Sequence, residues 1–437
     1  MIVNQASLSI AIVILVATYA LVMLDRHDRS LLALLGGGAM ILSGVLHQDE
    51  AIRGIDFNTI GLLTGMMLLV AISRRSGVFE FLAIWSAQAV RASPVGLLAA
   101  LAVVTAVLSA LLDNVTTVLL VAPVTISICR RLGVAPFPFL FSEVMASNIG
   151  GTATLIGDPP NIMIGSSANL SFNDFLIHML PLAVVVMVAQ TVVLHVMWGR
   201  RMSATTEARA AVMALRPADS LLDARLLRHS MLVFALVLLG FVTSRLSGLE
   251  PGTIALMGAA GLMLLENLVH EREHQFEKIT ATYAEVDWIT IFFFIGLFIV
   301  VHGVQSTGAL AWLAQQTLHA TGGDMAMTGY AVLWVSAILS AIVDNIPFVA
   351  AMIPLIKAMA PGLGGDQALL PLWVALSLGA CFGGNGTLIG ASANLAVAGI
   401  AQREGIGFGF VTYTLYAAPL MLGSIAMAHI YLYLRYF

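Results

Sequence analysis

The chain has 437 residues, of which 59% are apolar and only 10% are charged. An ordinary soluble domain has about 25% charged residues, so this composition excludes a soluble protein with a charged surface. The net charge of −4 does not indicate nucleic-acid binding, and Cys129 and Cys381 lack the paired spacing of a disulfide framework or a metal site.

Long apolar segments dominate the chain, as in residues 8–24 and 177–198. A segment of roughly 20 apolar residues crosses the hydrocarbon core of a membrane, and the sequence contains about ten to twelve such segments, several of them interrupted. The first has no basic leader and no small-residue cleavage site, so we interpret it as a retained helix. The sequence has no Walker loop or dinucleotide fingerprint, so we expect the energy for any transport to come from an ion gradient or from the gradient of the solute itself.

The second half of the chain repeats the first. LSALLDN at residues 108–114 returns as LSAIVDN at 339–345, and GGTATLIG at 150–157 returns as GGNGTLIG at 383–390. Upstream, residues 56–83 align without gaps on residues 287–314. Paired apolar segments that are broken by glycine and polar residues indicate the binding site of a secondary transporter.

Basic residues give the two repeats opposite orientations. Arg74 and Arg75 follow one apolar segment and predict a cytoplasmic end, whereas the equivalent Gln305 and Ser306 are uncharged. The stretch 199–230 holds six arginines against three acidic residues and is therefore predicted to be a cytoplasmic linker. This pattern is typical of inverted repeats.

The predicted fold is an all-α polytopic membrane protein with two inverted repeats. Each repeat is expected to contain scaffold helices, a re-entrant helical hairpin and a broken transmembrane helix. We assign residues 1–198 to the first repeat, with its hairpin at 94–131 and its broken helix at 137–172. The second repeat is assigned to 231–437, with its hairpin at 325–361 and its broken helix at 370–400.

The two hairpin tips carry the strongest candidate residues. An ionisable side chain inside a membrane segment is costly and by default indicates function, which singles out Asp113 and Asp344 as proton-coupling groups. Each carboxylate could equally cap a half-helix. Asn114 and Asn345 offer hydrogen-bond donors and acceptors beside them.

The two glycine-rich joints are the second set of candidates. Glycine lets the backbone leave the helix and approach a ligand, and the new helix N-terminus favours an anion or a polarised oxygen. Close helix packing is the alternative role of these glycines. Asp158 is either a helix cap or a third proton-coupling group. The remaining predicted solute- or ion-binding residues are Thr116, Thr117, Asn148, Gly150, Gly151, Thr152, Thr154, Asn161, Gly383, Gly384, Asn385, Thr387 and Asn394.

Residues 111–129 (LLDNVTTVLLVAPVTISIC) and 142–165 (SEVMASNIGGTATLIGDPPNIMIG) resemble the ion transporter superfamily, in particular the group with the arsenite efflux permeases and the P protein. The resemblance implies a scaffold and a transport domain, with two hairpins facing two broken helices. Dicarboxylate-transporting relatives have Ser-Asn-Thr at each tip, whereas this chain has aspartate in place of the serine. The substitution favours a neutral or cationic solute exchanged against protons or sodium ions.

The function predicted from the sequence is therefore export of arsenite or antimonite across a bacterial inner membrane in exchange for protons, without enzymatic activity. A sodium/proton antiporter and a channel-like anion transporter are the alternatives. No cofactor, metal or nucleic-acid partner is expected. The sequence leaves open a homodimer and a partner ATPase subunit.

Overall fold

The computed structural model describes residues 5–24, 26–268 and 272–437, and 82% of these residues are helical. Within these three ranges the structure has 23 α-helices and no β-strand. The helices before the linker are α1 (Gln5–Met23), α2 (Arg29–Leu42), α3 (Gln48–Arg53), α4 (Phe57–Arg74), α5 (Val78–Ala89), α6 (Pro94–Leu111), α7 (Asn114–Leu132), α8 (Phe137–Thr152), α9 (Pro159–Ala168), α10 (Phe172–His178) and α11 (Leu180–Trp198).

The later helices follow a similar order, with one added helix in the linker, one short added helix after the first long one, and no counterpart of α10. They are α12 (Thr206–Met213), α13 (Ala224–Val242), α14 (Ser244–Ser247), α15 (Pro251–Asn267), α16 (Arg272–Ala284), α17 (Trp288–Ser306), α18 (Ala309–Ala320), α19 (Met325–Ile342), α20 (Asn345–Met359), α21 (Leu370–Gly383), α22 (Ser392–Arg403) and α23 (Phe410–Tyr436).

Eleven helices in the described ranges are long and apolar enough to cross a membrane. Many of their large apolar side chains face outward, for example Val13, Val193 and Leu415. Exposed apolar surface on this scale is unfavourable in water but matches the hydrocarbon of a bilayer. The prediction of an all-α polytopic membrane protein is confirmed.

Equivalent helices of the two repeats run in opposite directions. Arg74, at the end of α4, forms an ion pair with Glu285, just before the start of α17, at 2.8 Å. At the other end, Gly54 lies just before α4, and a Cβ atom added to it would come within 2.7 Å of the His302 ring. Because α4 and α17 are equivalent in sequence yet antiparallel, the two repeats are inverted, as predicted.

The scaffold forms by exchange of helices between the repeats. Helix α2 packs against α17, and α15 packs against α4. Both contacts are made through glycine: Gly65 touches the backbone of Ala255, and the equivalent Gly296 touches the backbone of Ala33. Small residues allow membrane helices to approach closely, so the same close contact recurs once in each half.

Two helical hairpins and two broken helices form the rest of the core. The hairpins are α6–α7 and α19–α20, and the broken helices are α8–α9 and α21–α22. Helix α7 packs against α22, and α20 packs against α9, so each hairpin contacts the broken helix of the other repeat. The two tips thereby meet near the middle of the molecule.

The boundaries of the helices differ in detail from the predicted segments. Helix α13 begins at Ala224, inside the predicted linker 199–230, and α12 forms a short helix within it. Asp223 caps α13 by accepting hydrogen bonds from the amides of Arg225 and Leu226. We retain the division into repeats at 1–198 and 231–437 as a proposal.

Candidate functional site

A cavity of about 250 Å³ lies between the hairpin tips, the first joint and the scaffold. It extends to the Arg74–Glu285 ion pair, which lies at the C-terminal end of α4 and just before the N-terminal end of α17. The polar and charged residues that line it are Arg29, Arg74, Asp113, Asn114, Thr116, Asp158, Glu285, Asp287, Thr290, Asn345 and Ser392. The two tips and the first joint therefore share one polar chamber.

Asp113 is the N-cap of α7 and faces this cavity. Its Oδ1 atom accepts a hydrogen bond from the Thr116 amide at 2.8 Å, and its Oδ2 atom accepts one from the Thr116 hydroxyl at 2.5 Å. The capping role proposed from the sequence is thus present. The same carboxylate both caps the helix and lines the cavity. Capping is therefore compatible with the predicted role in proton coupling, which stays a prediction.

Asp344 occupies the equivalent position at the second tip but has a cationic partner. Its Oδ2 atom lies 3.1 Å from Nη1 of Arg29, at the start of α2, and accepts a hydrogen bond from the Ser392 hydroxyl at 3.0 Å. Its Oδ1 atom accepts a hydrogen bond from the Ile346 amide at 3.2 Å. The two tip carboxylates therefore differ in charge environment, although their sequences are similar.

A chain of buried amides connects the two repeats. The Asn114 amide donates to the Asn148 side chain at 3.2 Å. Asn148 in turn donates to the side-chain oxygens of Asn385 and Asn394, at 2.9 and 3.0 Å. All four side chains are almost fully buried. Because buried polar groups require partners, this chain fixes the first hairpin tip relative to the second broken helix.

Asp158 and Asn345 form a second contact across the repeats. The Asn345 amide lies 3.4 Å from both carboxylate oxygens of Asp158. Although Asp158 precedes α9, its side chain does not cap that helix. The residue instead lines the cavity, and its role in proton coupling stays a prediction.

The two joints are held by the same set of contacts. The Thr154 hydroxyl donates to the Ala110 carbonyl, and the equivalent Thr387 hydroxyl donates to the Ala341 carbonyl, both at 2.5 Å. Asn161 donates to the Thr154 carbonyl at 2.9 Å, and Asn394 donates to the Thr387 carbonyl at 2.8 Å. These side chains satisfy the backbone that the broken helices leave unpaired.

Glycine packing occupies the remaining space at the joints. A Cβ atom added to Gly151 would lie 2.5 Å from the Gly157 carbonyl, and one added to Gly383 would lie 2.5 Å from the Ala337 carbonyl. Gly150 and Gly384 make similarly close backbone contacts. In this conformation the glycines of the joints allow close contact with the backbone of the neighbouring helix or of the joint itself.

The structure divides the predicted site residues into two groups. Those that line the cavity are Asp113, Asn114, Thr116, Asp158 and Asn345. The others lie behind it and support it: the hydroxyl of Thr117 donates to the Asp113 carbonyl, and the hydroxyl of Thr152 donates to the Asn148 carbonyl. Which of them bind solute stays a prediction.

Six polar or charged residues that line the cavity were not among the predicted site residues. They are Arg29, Arg74, Glu285, Asp287, Thr290 and Ser392. The repeat could have identified Asp287 and Thr290, because the same pair of residue types recurs at Asp56 and Thr59. Asp287 caps α17 through the Thr290 amide, as Asp56 caps α4 through the Thr59 amide. Arg29 could have been identified less clearly, as an arginine at the start of an apolar helix of only 14 residues.

Comparison with known proteins adds a family to this geometry. A family model described as "Citrate transporter" matches residues 19–379. An uncharacterized transporter of Mycobacterium tuberculosis is 43% identical over 98% of both chains, and a 46 kDa membrane protein of Mycobacterium leprae is 40% identical over 98% of both. The mouse P protein is 33% identical over 98% of this chain and 60% of its own length.

A solved structure has the same general fold. The YdaH transporter of Alcanivorax borkumensis superposes with a TM-score of 0.61, covering 88% of each chain at 15% sequence identity. At this identity the likeness concerns the fold alone.

Proposed function

We propose that this chain, which belongs to the citrate transporter family of the ion transporter superfamily and is related to the P protein, is a secondary active transporter. The proposed transport is export of arsenite or antimonite in exchange for protons. The solute occupies the cavity between the hairpin tips. Transport follows alternating access, with the hairpins and broken helices moving against the scaffold. The present conformation faces the cytoplasm.

One observation carries the choice of solute. Both arginines that line the cavity are already in ion pairs, Arg29 with Asp344 and Arg74 with Glu285. Three further carboxylates, of Asp113, Asp158 and Asp287, face the same space. A di- or tricarboxylate would meet excess negative charge here, whereas uncharged arsenite trihydroxide needs only hydrogen-bond partners, which Asn114, Asn345 and Thr116 supply.

The coupling protons are assigned to acidic residues that line the cavity or, in the case of Asp344, pair with an arginine that lines it. Asp113, Asp158 and Asp344 belong to the hairpins and the first joint, which move, whereas Asp287 and Glu285 belong to the scaffold. Protons carried on the moving elements cross the membrane with them. We therefore assign coupling to Asp113, Asp344 and Asp158; the Asp113 carboxylate accepts its hydrogen bonds from Thr116.

A carboxylate anion is the second candidate solute. Arg29 lies in the cavity, and its guanidinium group would be available to an anion if the pair with Asp344 opened. A guanidinium group binds a carboxylate in bidentate geometry. The description of the matching family model agrees with this candidate.

Flux into proteoliposomes tests the proposal. The purified protein is assayed for arsenite flux in sodium-free buffer with and without an imposed pH gradient, and for citrate flux in parallel. Arsenite flux that follows the proton gradient supports the proposal. Citrate flux without arsenite flux would overturn it in favour of the second candidate, and pH changes driven by added sodium alone would indicate a sodium/proton antiporter.

The cellular setting is proposed from the same evidence. We place the chain in the inner membrane of a bacterium, since its mycobacterial relatives cover its full length. The proposal includes transport and no enzymatic activity. A homodimer and a partner ATPase remain compatible with the fold, and reconstitution of the purified chain without ATP tests the second.

A further inference from the structure

The contact between Arg29 and Asp344 joins two parts of the molecule that alternating access must separate. Arg29 begins α2, a scaffold helix that packs against α17. Asp344 forms the tip of the hairpin α19–α20, which packs against the broken helices. An ion pair that bridges scaffold and hairpin exists only while the two are in this relative position.

Neighbouring contacts place the guanidinium group firmly at this tip. Nη2 of Arg29 donates to the Thr290 hydroxyl at 3.1 Å, and Nη1 also donates to the Ser392 hydroxyl at 3.0 Å. The guanidinium carbon lies 5.4 Å from the centroid of the Phe293 ring, within the range of a cation–π contact. Nearby, the Tyr19 hydroxyl of α1 donates to the Pro347 carbonyl at 2.8 Å, a second bond from scaffold to hairpin.

The inverted repeat lacks this arginine on the opposite side. Ala33 and Ala255 occupy equivalent places, since they contact the equivalent glycines Gly296 and Gly65. Counting back from them, the position of Arg29 in α2 corresponds to Pro251 in α15. In the outward-facing state the inverted symmetry would bring Asp113 towards Pro251, which carries no charge.

We propose that Arg29 displaces the coupling proton from Asp344 when the transporter turns to the cytoplasm. In the outward-facing state the Asp344 carboxyl group has left Arg29 and binds a proton. On return, Arg29 pairs with the carboxylate and the proton leaves through the cavity to the cytoplasm. The step breaks only the O–H bond of the Asp344 carboxyl group.

The charged groups around Asp344 make its neutralisation depend on Arg29. The other charged residues that line the cavity are Arg74, Asp113, Asp158, Glu285 and Asp287. Arg74 is paired with Glu285, and the remaining three are acidic. Asp344 is largely shielded, with a side-chain exposure of 19%. Removal of one partner from a shielded ion pair leaves an uncompensated charge, which only a proton can then neutralise.

The inference rests on the proposed function only in requiring two alternating states. It is therefore tested by a measurement that needs no solute. Met67 lines the cavity from α4 and is replaced by cysteine as a reporter, while the native Cys129 and Cys381 are buried. Inside-out membrane vesicles are treated with a membrane-impermeant maleimide, and the labelling rate of Met67→Cys reports the inward-facing population.

We expect Arg29→Gln to lower the labelling rate at neutral pH by on the order of fivefold, the effect of losing about 1 kcal/mol from a partly exposed ion pair. The rate should recover as the pH falls, because a proton then replaces Arg29. The labelling rate should vary with pH much less than in Arg29→Gln both in the protein that carries Met67→Cys alone and in the protein that also carries Asp344→Asn. Arg29→Lys should restore part of the rate.

Arg75→Gln is the matched control, since its ion pairs with Glu266 and Glu285, at 3.4 and 2.9 Å, lie within the scaffold and Arg75 does not line the cavity. It should leave the labelling rate unchanged. An unchanged rate in Arg29→Gln, or an equal fall in Arg75→Gln, would overturn the inference. Failure of arsenite flux with the expected labelling pattern would instead overturn the solute and preserve the role of Arg29.

Discussion

The side-chain amide of Asn148 donates to the side-chain oxygen of Asn385 at 2.9 Å, which joins the first broken helix to the joint of the second. The two residues come from different repeats, and both are fully buried. Asn148 also contacts Asn114 at the first hairpin tip and Asn394 at the start of α22. The Asn148 side chain therefore holds the first hairpin and both broken helices in one arrangement.

Replacement of Asn148 by alanine should destabilise the protein strongly. It would leave polar atoms of three buried partners unsatisfied, at a cost of about 1–3 kcal/mol for each group that finds no new partner. Thermal unfolding in detergent measures the effect. Asn267→Ala is the control, because Asn267 is also buried but its amide donates only within α15, to the Met263 carbonyl at 2.9 Å. Equal losses in both variants would refute a special role for the amide chain.

Replacement of Asp113 by asparagine should abolish proton-driven arsenite flux and leave the fold intact. Asparagine caps a helix about as well as aspartate but cannot carry a proton. Flux in proteoliposomes with an imposed pH gradient is the measurement, and the unfolding temperature checks the fold. Asp324→Asn is the matched control, since Asp324 caps α19 through the Met327 amide at 2.8 Å and lies outside the cavity. Full coupled flux in Asp113→Asn would remove this residue from the mechanism.

The inverted repeat was predictable because glycine and aspartate recur at equal spacing in both halves. Those residues have local roles, in caps and joints, which sequence patterns record well. The pairing of Arg29 with Asp344 was not predictable, because 315 positions separate them and the contact depends on how the repeats exchange scaffold helices. The sequence also could not indicate that Thr154 and Thr387 donate to hairpin carbonyls, because these contacts depend on how each broken helix packs against the hairpin of its own repeat.

Alanine in place of Gly157 should disrupt the first joint. The added Cβ atom would lie 2.5 Å from the Ser109 carbonyl and 2.7 Å from the Gly151 backbone, distances that require the backbone to shift. Overpacking of this kind costs about 1–3 kcal/mol or more, so expression and unfolding temperature should both fall. Gly399→Ala is the control within α22, where no neighbour lies within 4 Å. There alanine should be neutral or stabilising by up to about 1 kcal/mol, and a loss equal to that of Gly157→Ala would contradict the steric explanation.

Asp28 should make the Arg29 region sensitive to acid. It caps α2, accepting a hydrogen bond from the Ser30 hydroxyl and one from the Ser30 amide at 2.8 Å. Hydrogen bonding, chiefly from the Ser30 hydroxyl, lowers the pKa of the Asp28 carboxyl group below its ordinary value. Because the folded state holds the ionised form, this contribution to stability is present above the ordinary aspartate pKa of about 4 and is lost as the pH falls through the lower folded value.

Asp28→Ala should therefore lower the unfolding temperature at neutral pH, consistent with a cap loss of about 1 kcal/mol, and the difference from the unsubstituted protein should vanish in strong acid. The first turn of α2 should also fray, so Arg29 would hold Asp344 less well and cytoplasmic labelling of Met67→Cys should fall modestly. Asp223→Ala is the control, because Asp223 caps α13 in the same way, through the amides of Arg225 and Leu226, away from the cavity. Loss of the Asp223 cap should lower the stability without changing the labelling rate. An equal fall in the labelling rates of Asp223→Ala and Asp28→Ala would show that the effect of Asp28→Ala does not act through Arg29.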